Sequence, residues 1–204
     1  MAFNINEFRA NLPGGGARPN LFEVNIPVPS ALGGFQNEAR KVKYLCKTTS
    51  IPGSTIEPVE LNYFGRLVKF GGQKTFEDWT TTVLNDEDFA IRRFIEAWQE
   101  KIMGNVTNTS GVVSPQEYTV DASVTQFSQN GEPIRQYAMM GAWPTGIAAI
   151  ELDWGTAEPE EFEITWSFDW WESIEIDEPT FAFDASIKVP IFGTIGIGGS
   201  VGGG

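Results

Sequence analysis

No histidine occurs in the 204 residues, and cysteine occurs once, at Cys46. The first absence removes the commonest general base, the commonest zinc and iron ligand, and every Ser/His/Asp or Cys/His nucleophile. Most hydrolase chemistry is excluded with it. The second rules out an internal disulfide, and Cys46 in the alternating run VKYLCKTT reads as a strand cysteine rather than a reactive thiol. No stretch approaches the roughly 20 apolar residues of a membrane-spanning helix. The opening MAFNINEFRANLPGGG lacks a basic segment followed by an apolar run, so no secretory signal and no membrane are expected, and the chain is expected in the cytoplasm at synthesis. Basic residues are scarce: 14 against 27 acids, for a net charge of −13. Acids crowd Glu151 to Asp184, while Lys188 is the single base after Glu151. This balance opposes binding to phosphate backbones and equally describes a well-solvated surface.

Bulky apolar residues, by contrast, are plentiful, with 7 Trp and 15 Phe. The chain is long enough for one sizeable core, and a single domain with appendages is expected. Residues 1–16 read as a flexible lead-in ending in PGGG. Order begins at ARPNLFEVNIP, where Phe22, Val24 and Ile26 alternate with polar residues as in a half-buried strand. PVPSALGGFQNEAR reads as a loop. Val42, Tyr44 and Cys46 alternate with Lys41, Lys43 and Lys47 and read as a second strand. Residues 48–74 form a long extended arm rich in Leu61, Tyr63, Phe64, Leu67 and Phe70. Such an arm either covers its own core as a hairpin or projects and demands a partner.

A strand at FEDWTTTVL precedes a helix over about 86–103. There Ile91, Phe94, Ile95, Trp98 and Ile102 make one apolar stripe that is expected to pack on the barrel. EYTVDASVTQF reads as a strand with Tyr118, Val120, Ala122 and Val124 on one face, and EPIRQYAMMGAWP as its hairpin partner. In EEFEITWSFDWWE, Phe162, Ile164, Trp166, Phe168 and Trp170 alternate without error with polar residues, as in a strand covering a core on one side. Residues 173–204 end in VPIFGTIGIGGSVGGG, a Gly-rich extension whose Ile and Phe residues could also pair with a neighbour's sheet edge.

No catalytic constellation survives inspection. Asp86, Glu87 and Asp88 sit at the helix start, where Asn85 as N-cap and Asp88 at the third helical position satisfy free amides and the helix dipole; a metal would need ligands from elsewhere. Glu158, Glu160 and Glu161 flank Pro159 in a turn rather than forming an acid pair. LPGGG and FGGQ lack the helix and lysine of a phosphate loop. No cofactor, metal site or enzymatic activity is expected.

The blocks ARPNLFEV (17–24), CKTTSIPG (46–53), TFEDWTTTVLND (75–86), GAWPTGIAAIELDW (141–154) and FEITWSFDWWE (162–172) resemble, in order, the tail tube protein of contractile-tailed bacteriophages. They span most of residues 17–172, the expected tube domain; residues 173–204 have no counterpart in that family. The resemblance implies a mainly β fold, a barrel or sandwich of two packed antiparallel sheets with one flanking helix and a projecting hairpin arm. It implies six copies closing into rings that stack into a hollow tube inside the sheath, with DNA and a tape measure protein in the lumen and with baseplate and terminator proteins at the ends. The site would then be the virion tail, after assembly in the host cytoplasm. On the same basis the arm, through Ile51, Pro52, Leu61, Tyr63, Phe64, Leu67 and Phe70, is expected to reach the adjacent ring. Asp121, Ser123 and Thr125, on the polar face of their strand, are expected to line an acidic lumen that does not hold DNA. Two other functions fit the same residues: a ring protein of a type VI secretion or other contractile injection system, or an acidic β-sandwich adaptor or carbohydrate-binding module stacking sugars on Trp143, Trp154 or Trp171.

Overall fold

The computed structural model describes residues 4–12, 15–112 and 114–174. From residue 175 onward, the expected C-terminal extension lies outside the described residues. Nine strands and four helices occur among those described, in the order α1 (Ile5–Ala10), β1 (Phe22–Asn25), α2 (Gln36–Leu45), β2 (Cys46–Thr49), β3 (Ser54–Tyr63), β4 (Arg66–Phe76), β5 (Trp79–Leu84), α3 (Ala90–Ile102), α4 (Pro115–Tyr118), β6 (Val120–Phe127), β7 (Pro133–Ile147), β8 (Glu161–Ser167) and β9 (Trp170–Ile174). The fold is mainly β, as the alternating segments require.

Seven strands form one antiparallel sheet in the order β1-β6-β7-β8-β5-β2, and β9 branches from β7. The 15-residue β7 holds the two halves together. Its first part pairs with β6 and β9, and its last part, Trp143–Ile147, pairs with β8. Val24, Ala122, Val124 and Met139 from one half join Trp79, Val83, Phe162, Ile164 and Trp166 from the other in a single core. Three tryptophans, Trp79, Trp98 and Trp166, are completely buried, and each indole N–H has a partner. Trp79 donates to Thr49 Oγ1 at 2.9 Å, Trp98 to the Tyr118 carbonyl at 2.8 Å and Trp166 to Thr81 Oγ1 at 2.9 Å. A buried indole without an acceptor would forfeit a hydrogen bond to water, so these pairs let the largest side chains sit at the centre.

Helix α3 closes the core. Ile91, Phe94, Ile95 and Trp98 are buried, and Ile102 is partly buried against the same cluster, as the apolar stripe predicts. Its start differs from expectation. The helix begins at Ala90, Phe89 takes the cap position in a left-handed conformation (φ 51), and Asn85 is not the cap. Asp86 performs that role from further upstream: its Oδ1 accepts from the Ala90 amide at 2.8 Å, and its Oδ2 pairs with Lys41. Asn85 instead faces β8, donating to Glu160 through both its backbone and side-chain nitrogens.

The segment read as a loop and then a strand at 41–47 is largely helix α2. Phe35, Ala39, Val42 and Leu45 recur at helical spacing and pack on the core, and that stripe prevails over the Val42/Tyr44/Cys46 alternation. Tyr44 is left exposed, and only Cys46 enters β2. The lead-in also contains a helix, α1, capped by Asn4 Oδ1 at 3.1 Å from the Asn6 amide. Tyr118 falls in α4 rather than in the strand, which starts at Val120.

Candidate assembly surfaces

Among the described residues, strands β3 and β4 pair only with each other. Alternation puts Val59, Leu61, Tyr63, Val68 and Phe70 on one face of this hairpin, because Val59 lies opposite Phe70, Leu61 opposite Val68 and Tyr63 opposite Arg66. All five are exposed. Leu67 lies opposite Asn62, on the other face. The tip is a two-residue turn in which Phe64 (φ 46) and Gly65 (φ 79) are both left-handed, and Phe64 is 90% exposed. A register shift between Ile56 and Pro58 bends the arm, and Gly72 sits there because a Cβ would lie 2.5 Å from the Glu57 carbonyl oxygen. Of the residues expected to reach a neighbour, Ile51, Leu61, Tyr63, Phe64, Leu67 and Phe70 are exposed. Pro52 is not: it is buried at the arm's base, so it anchors the arm instead of presenting a contact.

That base is clamped by an aromatic cluster. Phe76 packs against Phe168 and Trp171 with ring centroids 6.1 and 6.3 Å apart, and Trp171 packs on Tyr137. Lys74 Nζ lies 5.0 Å from the Phe76 ring centroid and 5.4 Å from that of Trp171. The Trp171 indole donates to the Gly53 carbonyl at 3.3 Å. Such contacts tie the arm's two strands to β9.

A second surface is the outer face of β1-β6-β7-β9. Val24, Val124 and Tyr137 are cross-strand partners toward the core, so Glu23, Asn25, Asp121, Ser123, Thr125, Gln136, Ala138 and Glu172 occupy the opposite face. These residues include three acids, of which Glu23 is paired with Lys43 of α2 at 2.8 Å. Asp121 is exposed, and its Oδ1 accepts from the Gly141 amide at 3.1 Å across the bulge in the β6-β7 ladder. Ser123 is buried between Asn25 and Ala138, so it does not present its hydroxyl to a lumen as expected from the polar face, and Thr125 is half-buried. Among the described residues β1 and β9 each have one ladder neighbour, so both margins of this four-stranded half are open there. Sequence reasoning had not singled out β9 as a margin, because Trp170–Ile174 reads as the tail of β8; the turn at Ser167–Trp170, where the Asp169 amide donates to the Met140 carbonyl, makes it a separate strand.

Other candidates disperse. Among the described residues no group of three His, Cys, Asp or Glu side chains is placed to hold a metal. The Cys46 thiol is pushed up to about 12 by burial, which keeps it from reacting as a thiolate. Trp143 packs edge-on against Tyr118 and Trp171 belongs to the arm base, so neither shares a platform with the exposed Trp154.

Together, a hairpin with an uncovered apolar face and a half-sheet with two open margins define a protein built for self-assembly. The family model for phage tail tube proteins matches residues 17–173, and the chain belongs to that family. It is 34% identical over 166 residues to the tail tube protein gp19 of Enterobacteria phage T4, covering 80% of this chain and 96% of that one. Similar solved structures include the sheath-tube complex of an extracellular contractile injection system, PVC (TM-score 0.54, 14% identity, 86% of this chain and 100% of that one). The tube-terminating cap of the anti-feeding prophage has a TM-score of 0.56 at 14% identity, again over 86% and 100%. These two structures share the fold with this chain.

Proposed function

We propose that this protein is the structural, non-enzymatic subunit of a contractile tail's inner tube. The apolar face of the β3-β4 arm, which no described residue covers, carries the reading, because it costs solubility in a lone subunit. Six copies joined side by side through the open margins of β1 and β9 remove both edges, the solution a closed barrel uses. The rings stack through the arms. The acidic face of β1-β6-β7-β9 lines the lumen through Asp121 and Thr125, so a DNA phosphate backbone passes without being held. The sheath surrounds the tube, baseplate and terminator proteins meet its ends, and the tape measure protein occupies the lumen until the genome leaves. The product is a virion tail component assembled in the host cytoplasm.

Negative-stain microscopy of the purified chain tests this. Hollow tubes or stacked rings are expected, and a monomer that stays monodisperse as concentration rises rejects the reading.

A further inference from the structure

A chain that buries Trp79, Trp98 and Trp166 completely leaves Trp154 with a relative exposure of 105%. Trp154 lies with Leu152, 79% exposed, on the loop 148–160 between β7 and β8. The two side chains border a groove of about 840 Å³ whose wall includes Leu84 and Ile150. Glu151, Asp153 and Glu158 line it without an ion-pair partner among the described residues, Asp153 accepting from the Gly155 amide at 3.0 Å, and the one base in the lining, Lys47, is neutralised by Glu161.

The groove and the arm occupy opposite ends of the same half-sheet. β5 starts at Trp79, whose indole holds Thr49 and Ser50 at the arm's base. It ends at Leu84 in the groove wall, about 17 Å away for a six-residue strand. The next amide, Asn85, donates to the Glu160 carbonyl at the groove's margin. A projection at one end and a recess at the other is the polarity of a head-to-tail contact, which propagates instead of closing.

The chemistry of the arm tip complements the recess. Phe64 holds the first central position of a turn where Asn or Gly is free of strain, and a bulky residue there is strained. Its ring nonetheless stands in solvent. Arg66, directly beside the turn, has no ion pair among the described residues, whereas Lys69 is paired with Glu60 at 3.1 Å. An aromatic ring with a guanidinium matches a recess offering an indole, a leucine and unpaired carboxylates.

We propose that the groove of loop 148–160 receives the arm tip of a second copy of this chain. Phe64 packs on Leu152 and Trp154, and Arg66 sits among Glu151, Asp153 and Glu158. The inference rests on the tube reading and supplies the surface that the arm meets. The test places p-benzoylphenylalanine in place of Phe64, irradiates tubes assembled from that chain mixed with isotope-labelled chain, and maps the adducts by mass spectrometry. Intermolecular adducts within residues 149–160 are expected; well-formed tubes whose adducts fall only elsewhere overturn the groove assignment and leave the tube reading intact. Independently, Leu152→Ser with Trp154→Ser should lower polymer yield at fixed concentration by about tenfold or more while the folded subunit persists. Unchanged yield and length overturn the assignment. If the unsubstituted chain builds no tube at all, the tube reading fails first and takes the groove with it.

Discussion

The body and the arm use the same sequence device and arrive at opposite ends. In β8, Phe162, Ile164 and Trp166 alternate with polar residues and are completely or almost completely buried. In the arm, Val59, Leu61 and Tyr63 alternate with Glu60 and Asn62 just as cleanly, yet all three are exposed. The difference is what lies across from each face. β8 meets α3 and the other half of the sheet, with the Trp98 and Trp166 rings 5.7 Å apart, whereas β3-β4 has no second layer among the described residues. Alternation therefore specifies a face that must be covered and leaves open which molecule covers it.

Substitutions on the two sides of this comparison should separate stability from assembly. Trp98→Ala removes a fully buried ring and the bond to Tyr118, and should cost about 3 to 5 kcal/mol in urea denaturation, with assembly lost only because the subunit unfolds. Gly72→Ala places a Cβ 2.5 Å from a backbone oxygen, and about 1 to 3 kcal/mol of local strain should appear as faster amide exchange in β3 and β4 with the body's protection unchanged. Asp86→Asn tests the body's helix start. The Lys41 hydrogen bond, foremost, holds the Asp86 carboxyl below its usual 3.8, so its stabilisation is fully present above that value and is lost as pH falls through the lowered folded value. The variant should be about 1 kcal/mol or less below wild type near pH 7, since the pair is partly exposed, and the gap should close as pH falls below about 4. The smallest expected effect on folding belongs to Leu61→Ser, Tyr63→Ser and Phe70→Ser together. Thermal unfolding of the body should shift by no more than about 0.5 kcal/mol for the triple variant, while polymerisation measured by light scattering disappears.

Much of the body is legible residue by residue. The Phe162–Trp166 alternation and the Ile91–Ile102 stripe both point to the core because their periods, two and 3.6, fit a single geometry. Helix α2 was hidden because Val42, Tyr44 and Cys46 satisfy period two while Phe35, Ala39, Val42 and Leu45 satisfy the helical period, and a short window cannot rank the two. The helix-start acids were read to the right region and the wrong atom. Left-handed Phe89 delays the helix, which hands the capping role to Asp86, and no propensity foretells a bulky residue with positive φ. Within the arm, the residue set was readable, but its division into faces depends on the shift at Ile56/Pro58, and the burial of Pro52 has no local pattern behind it. Open margins at β1 and β9, and the groove beside Trp154, arise only from strand order and therefore have no sequence signal.

The tube reading stands or falls with the arm's apolar face as an assembly surface between copies of this chain. Cryo-electron microscopy of tubes grown from the purified protein addresses it directly. The account predicts each β3-β4 hairpin crossing the seam into the next ring, with Leu61, Tyr63 and Phe70 covered there. A map in which the hairpins stand free in solvent, or fold back onto their own subunits, would contradict it.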